Sequence, residues 1–283
     1  MLTSLLNNLF YPDITDNTTP NKIIYYYQTQ STMKPIVKLK QVSNLDIHVY
    51  LSSLHFGTDK NNHKVLHLND DVPDVQTKLW NDVEYADKQG INFMVMLGGA
   101  GGAYTTLFSD FDCYYQLLYN FLCSKPYIKG IDLDVEEGVT IDNIKKLINQ
   151  LRKDFGNEFI ITMAPVANSM TTDTSGMGGF AYKDLFTSPE GESIDWFNVQ
   201  CYGCFSFDTY DAIIKNGYPE EKIVIGLLGD DYADKSIVSA SNEVDKIHKK
   251  YNKMGGTVLW EYGDTRVNPI EWGVMMSTKL SQN

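Results

Sequence analysis

The sequence predicts an α/β chain folded as one (β/α)₈, or TIM, barrel, and three observations carry that expectation. From residue 22 onward, short β-rich runs alternate with longer amphipathic stretches, the pattern of parallel strands joined by crossover helices. Eight such pairs follow one another without a Pro- or Ser-rich linker. A glycine-rich stretch comes after the third strand, whereas an open doubly wound sheet places its phosphate loop after the first. A chain of 283 residues with 43% hydrophobic content can bury one large core, and barrels of about 250 residues commonly form one domain.

Taken in order, the strands are expected at 23–28, 47–52, 91–97, 128–134, 159–163, 196–202, 222–227 and 257–261. Between them, segments such as 75–88, 140–155 and 237–253 repeat apolar residues at three and four positions, as a helix packed on a sheet requires. Residues 1–21 read as an Asn- and Thr-rich extension, and 22–283 as the barrel. About 29 residues separate strands seven and eight, and one helix uses most of them, so no α+β domain is inserted there.

The net charge of −12 would repel a phosphate backbone, which excludes nucleic acid as the partner and favours a neutral or cationic one. No segment approaches the roughly 20 apolar residues of a membrane span, and the N-terminus lacks the features of a secretory signal. The chain is therefore expected to be intracellular and monomeric, or secreted if it is a processed form. Cys113 and Cys123 stand ten residues apart on one predicted helix, about 15 Å of rise, too far to bridge. Cys201 and Cys204 form a lone CxxC after a strand, where idle thiols are expected rather than zinc or redox chemistry.

The informative segment runs from Lys129 to Glu136. Side chains alternate with period two, so Ile131, Leu133 and Val135 share one face and Asp132, Asp134 and Glu136 the other. In a barrel whose outside meets helices, the acids point inward. Burying unpaired carboxylates costs several kcal/mol each, which calls for a compensating function. A solvated strand or a cation site of three carboxylates are the competing readings. Mutual repulsion keeps the three from all ionising, so the cluster should titrate as a unit and retain a proton. Glu136 comes last, at the end of the strand where barrel active sites gather.

At these residues the chain resembles family 18 of the glycoside hydrolases, the chitinases and related endo-β-N-acetylglucosaminidases, whose signature is DxxDxDxE. Here it reads KxxDxDxE, with Lys129 in the first place. Gly98 and Gly99, followed by Tyr104, resemble the family's SxGG loop, with Met96 where Ser is usual. Gln200 and Tyr202 match its QxY, and Trp260 its strand-eight tryptophan. Met163 falls at a substrate-lining position of the family. The likeness extends from about Ile23 to Trp272 and is strongest to compact plant-type members, implying a shallow open groove and endo-type cutting.

The resemblance implies Glu136, Asp134, Asp132 and Tyr202 as catalytic residues, and Trp260, Gln200, Met163, Gly98, Gly99 and Tyr104 as substrate-binding ones. It implies retaining hydrolysis of β-1,4-linked N-acetylglucosamine polymers, chitin or chitooligosaccharides, assisted by the substrate's 2-acetamido group. Proton transfer and internal attack need no cofactor or metal, and none is expected. His55, His63 and His67 lie in a Lys- and Asn-rich segment that reads as a solvated loop. Two alternatives remain open: an endo-β-N-acetylglucosaminidase acting on N-glycan chitobiose cores, and a non-catalytic, lectin-like barrel.

Overall fold

The computed structural model describes residues 21–42, 46–229, 237–266 and 268–281. The first twenty residues, nearly all of the expected N-terminal extension, lie outside them. In chain order the strands are β1 (Lys22–Tyr27), β2 (Asp46–Thr58), β3 (Lys64–Leu68), β4 (Asn92–Gly98), β5 (Ile128–Asp134), β6 (Ile160–Met163), β7 (Trp196–Gln200), β8 (Ile223–Leu228) and β9 (Gly256–Trp260). All but β3 are parallel and close on themselves, because β1 pairs with both β2 and β9. Each of the eight expected strands overlaps one strand of this closed barrel, and no α+β domain interrupts β8 to β9 among the described residues.

The helices are α1 (Lys34–Val42), α2 (Thr77–Asp87), α3 (Tyr104–Ser109), α4 (Phe111–Ser124), α5 (Ile141–Phe155), α6 (Ala167–Thr171), α7 (Tyr182–Phe186), α8 (Phe207–Lys215), α9 (Ile237–Lys250) and α10 (Pro269–Leu280). The one after the acid strand shows why they form. In α5, Ile144, Leu147, Ile148 and Leu151 are buried at three- and four-residue spacing, and the Thr140 side chain caps the N-terminus by accepting from the Asn143 N–H. Full burial of each such side chain contributes roughly 1.5–3 kcal/mol, so packing on the sheet, more than propensity, holds the helix. None of the described helices is long and apolar enough to cross a membrane.

Two apolar layers result. Ile131 and Leu133 join the large outer layer between strands and helices. Ile24, Tyr26, Tyr50, Met94, Met96, Trp196, Val224 and Val258 fill the barrel interior. Into that interior β5 sends Asp132 and Asp134 instead of apolar side chains.

The segment carrying His55, His63 and His67 is not the solvated loop expected. β2 runs on past the barrel rim to Thr58 and returns as β3, antiparallel, with Leu54 opposite Leu68, His55 opposite His67 and Phe56 opposite Leu66. The cause lies in the residues: Leu54, Phe56, Leu66 and Leu68 are all buried, and the Phe56 ring meets Tyr114 of α4 at 5.3 Å. A hairpin with one apolar face gains more from covering α4 than a hydrated loop would. Only His63, in the turn, stays well exposed.

Candidate active site

The deepest acid is the most fully satisfied. Asp132 is 0% exposed and takes three hydrogen bonds, from the Tyr26 hydroxyl to Oδ2 at 2.7 Å, and from Thr162 Oγ1 at 2.5 Å and Asn198 Nδ2 at 3.1 Å to Oδ1. Burial raises its pKa to about 6, and the three donors hold it back from going further. Asp134, one step up the strand, accepts from the Gln200 Nε2 amide at 3.1 Å on Oδ1. Burial, then the charge of Glu136, then that of Asp132, push its pKa well above the ordinary value. The ladder thus holds its two inner carboxyls above the range of separate carboxylates in water.

Glu136 stands just beyond the end of β5, half-buried at the rim. The Gln200 amide joins the two upper acids, reaching Glu136 Oε1 at 3.3 Å as well as Asp134, while also donating to the Ala164 carbonyl at 2.9 Å. That third contact fixes the amide's orientation, so its nitrogen and not its oxygen faces the carboxyls. Two residues on, Tyr202 is half-buried beside them. Burial, then Asp134 and Glu136, keep its phenol far above the ordinary value, so it remains a hydrogen-bond donor.

These groups face one groove at the C-terminal ends of the strands, with a volume of about 370 Å³, inside the roughly 300–1,000 Å³ range of small-molecule sites. Trp260 forms one wall, its ring 5.1 Å from that of Tyr26, whose hydroxyl holds Asp132. Behind it, the buried Glu261 carboxylate accepts from the Gln28 and Thr29 N–H groups at 3.2 and 3.4 Å, bringing Gln28 to the groove. Opposite, Gly98 pairs with Asp134 and the Gly99 N–H donates to the Asp134 carbonyl at 2.9 Å. A Cβ on Gly98 would meet that carbonyl oxygen at 2.2 Å, and its φ of +105° disfavours any other residue. A second cleft, of about 260 Å³, lies under the β3 hairpin among Leu66, Leu117 and Phe121, but its charged rim is engaged in Lys64–Asp110 and Lys125–Asp74 ion pairs.

The structure therefore brings Asp134, Glu136, Gln200, Tyr202, Trp260, Gly98 and Gly99 together around the groove, with Asp132 directly beneath. Two residues expected to touch substrate do not line it. Met163 lies opposite Leu133 in the outer layer, because the inward position of β6 belongs to Thr162. Tyr104 begins α3 and is fully buried; its hydroxyl donates to the Leu97 carbonyl at 2.8 Å, so it supports the glycine turn from below. Lys129 is at the far end of β5, 3.7 Å from Asp87, and Met96 is a fully buried interior residue bordering the groove.

Other contributors went unread. Tyr26 comes from a strand apolar on both faces, where alternation says nothing about direction, although it is two residues from the interior Ile24; Tyr50 shares the inward face of β2 with His48, whose ring meets interior Trp196 at 5.4 Å. Ser53 and His55 reach the groove only because β2 overruns the barrel. Glu137 is the least expected: its carboxylate accepts from the N–H groups of Ala103, Tyr104 (2.6 Å) and Thr105 (3.3 Å) and from Thr105 Oγ1 (2.5 Å). Burial would raise its pKa, but these donors outweigh it and leave it lowered. The residue beside Glu136 thus anchors the end of β5 to the start of α3, an N-terminal capping role. Among the described residues, no three His, Cys, Asp or Glu side chains gather as a metal site would.

No family model matches the chain. Chitinase 2 of Rhizopus oligosporus is 26% identical over 204 residues, which are 64% of this chain and 35% of that protein; the chain spans about a third of the length of the curated relatives it matches. Among solved structures, a fungal endo-β-N-acetylglucosaminidase from glycosyl hydrolase family 18 is similar with a TM-score of 0.77 and 29% identity, over 92% of this chain and 98% of that one. The chitinase ChiC from Aspergillus fumigatus is similar with a TM-score of 0.76 and 28% identity, over 92% and 99%.

Proposed function

Because the chain is a chitinase-like member of glycoside hydrolase family 18, we propose that it hydrolyses β-1,4-linked N-acetylglucosamine chains, chitin or chitooligosaccharides, from within. The observation that carries this reading is the ladder Asp132, Asp134, Glu136 rising to a groove walled by Tyr202 and Trp260. Retaining glycosidases with a protein nucleophile set a second carboxyl about 5 Å across the scissile bond from the acid. Among the described residues lining this groove, the carboxyls are Asp134 and Glu136, both from the same wall. That arrangement supports the exception to the two-carboxylate rule, in which the substrate's own acetamido oxygen attacks.

In this mechanism a sugar rests on the Trp260 face and Glu136 protonates the glycosidic oxygen. The Tyr202 hydroxyl donates to the acetamido oxygen and holds it at attacking distance, a proximity effect. Asp134 accepts the acetamido N–H and faces the positive charge of the resulting oxazolinium ion. Asp132, held by three donors, sets how readily Asp134 gives up its proton. Glu136 then takes a proton from water, which opens the ring with net retention.

A second reading is favoured by one finding, the likeness to a solved endo-β-N-acetylglucosaminidase. The same catalytic groups would then cut the chitobiose core of an N-glycan. Incubating the chain with chitotetraose and, separately, with a high-mannose glycoprotein decides between them. The proposal expects chitobiose from chitotetraose; release of glycan with chitotetraose intact would transfer the assignment to the second reading. Binding of both with hydrolysis of neither would leave a lectin-like barrel.

A further inference from the structure

The CxxC after β7 is not idle in its geometry. The Cys204 N–H donates to the Cys201 carbonyl at 3.1 Å, which makes Cys201-Tyr202-Gly203-Cys204 a β-turn, and Gly203 supplies the positive φ (+73°) required at its third position. Such a turn brings its end Cα atoms within about 7 Å, the span across which disulfides form, typically about 4.4–6.8 Å. The Cys204 side chain, together with burial, pushes the Cys201 thiol up. Cys201 is buried in the outer layer and Cys204 is exposed, so one sulfur can meet a reagent and the other lies behind it. Cys113 and Cys123 are also exposed, but they sit at opposite ends of α4.

We infer that Cys201 and Cys204 form a thiol modification site for low-molecular-weight disulfides, closing to an intramolecular disulfide that moves Tyr202. The Cys204 thiolate attacks the reagent's disulfide, whose S–S bond breaks and releases one thiol. Cys201 then loses its proton and attacks the Cys204 sulfur of the mixed disulfide, releasing the second thiol. Two protein thiols are oxidised and one external disulfide is reduced to two thiols.

Closure draws the sulfurs to about 2.05 Å. Cys201 cannot yield much, because its side chain is packed in the core and its N–H donates to the Gly226 carbonyl at 3.1 Å. The turn must yield, and Tyr202 is its second residue. A displacement of about 1 Å in a positioning group can cost about 100-fold in rate, so turnover should fall at least about tenfold. This consequence for turnover rests on the role proposed for Tyr202; the thiol chemistry does not.

The test equilibrates the full chain in buffers of varied reduced and oxidised glutathione, maps its cysteines by mass spectrometry, and measures kcat on chitotetraose. The expected result is a Cys201–Cys204 peptide pair lighter by two hydrogens, with kcat falling in step and restored by reductant. Cys204→Ser should keep the reduced-state kcat in every buffer. Glutathione remaining on Cys204 without closure would overturn the site, and closure with unchanged kcat would overturn its effect on Tyr202. Should the chain hydrolyse nothing, the mass map still decides the site, and chitotetraose affinity replaces kcat as the readout for Tyr202.

Discussion

Replacing Glu136 with Gln is expected to lower kcat on chitotetraose by about 10²–10⁴, the range of general acid–base catalysis, and to leave Kd for the same oligosaccharide within a few-fold. Gln keeps the size of the side chain, and its amide oxygen can still accept from Gln200 Nε2, which lies 3.3 Å from Glu136 Oε1. What it loses is the proton to give and the base to regain it. Because Trp260, Tyr202 and the glycine turn are untouched, binding should survive. Kinetics beside calorimetry on the same variant measure both halves, and an unchanged kcat would remove Glu136 from the mechanism. The residue also sits next to Glu137, whose hydrogen bonds anchor the strand end independently of position 136, so the variant should fold.

Asp134→Asn is expected to cost about 10²–10³ in kcat, the scale seen when one preorganised electrostatic group is removed, with little change in KM. The folded chain already holds this carboxyl far above its ordinary pKa, through burial first and its two acidic neighbours second. A neutral amide therefore fits without a new buried charge, and its oxygen can keep the Gln200 contact. The loss falls on the charged intermediate, which meets no negative partner at position 134. Burial of Asp134 makes the variant, if anything, easier to fold: a carboxyl with a raised folded-state pKa destabilises the native state as pH rises through that value, and Asn removes the penalty. A Tm at neutral pH equal to or above the parent's, together with a collapsed kcat, is the signature; a variant with parental kcat would show that the charge at this position does no work.

Much of this is legible in the sequence. Period-two alternation in β5 assigned Asp132 and Asp134 to the interior, because a polar residue at an inward position stands out against apolar neighbours, and the same period puts Asn198 and Gln200 of β7 there. The same logic was silent in β1, where Tyr25, Tyr26 and Tyr27 are all buried and the chemistry of the side chains does not separate the faces. Met163 rested on the resemblance alone: four residues of β6 give too short a run for alternation to fix its face, and it packs in the outer layer. Composition misled at the β2–β3 hairpin: the Lys and Asn residues occupy the turn, while Leu54, Phe56, Leu66 and Leu68 carry the pairing. Glu137 left no readable mark, because its partners are the backbone N–H groups of a helix start more than thirty residues away.

The central claim is that the substrate's acetamido group, and not a protein carboxylate or a water, makes the first attack from the far side of the leaving group. Proton NMR of chitotetraose hydrolysis in its first minutes reads this directly through the anomeric signals of the new reducing ends. The account predicts the β anomer alone at first, with the α anomer growing in only as mutarotation proceeds, and requires the signal to vanish for a substrate whose 2-acetamido group is replaced by hydroxyl. Initial α product, or equal cleavage of the 2-hydroxyl substrate, contradicts it.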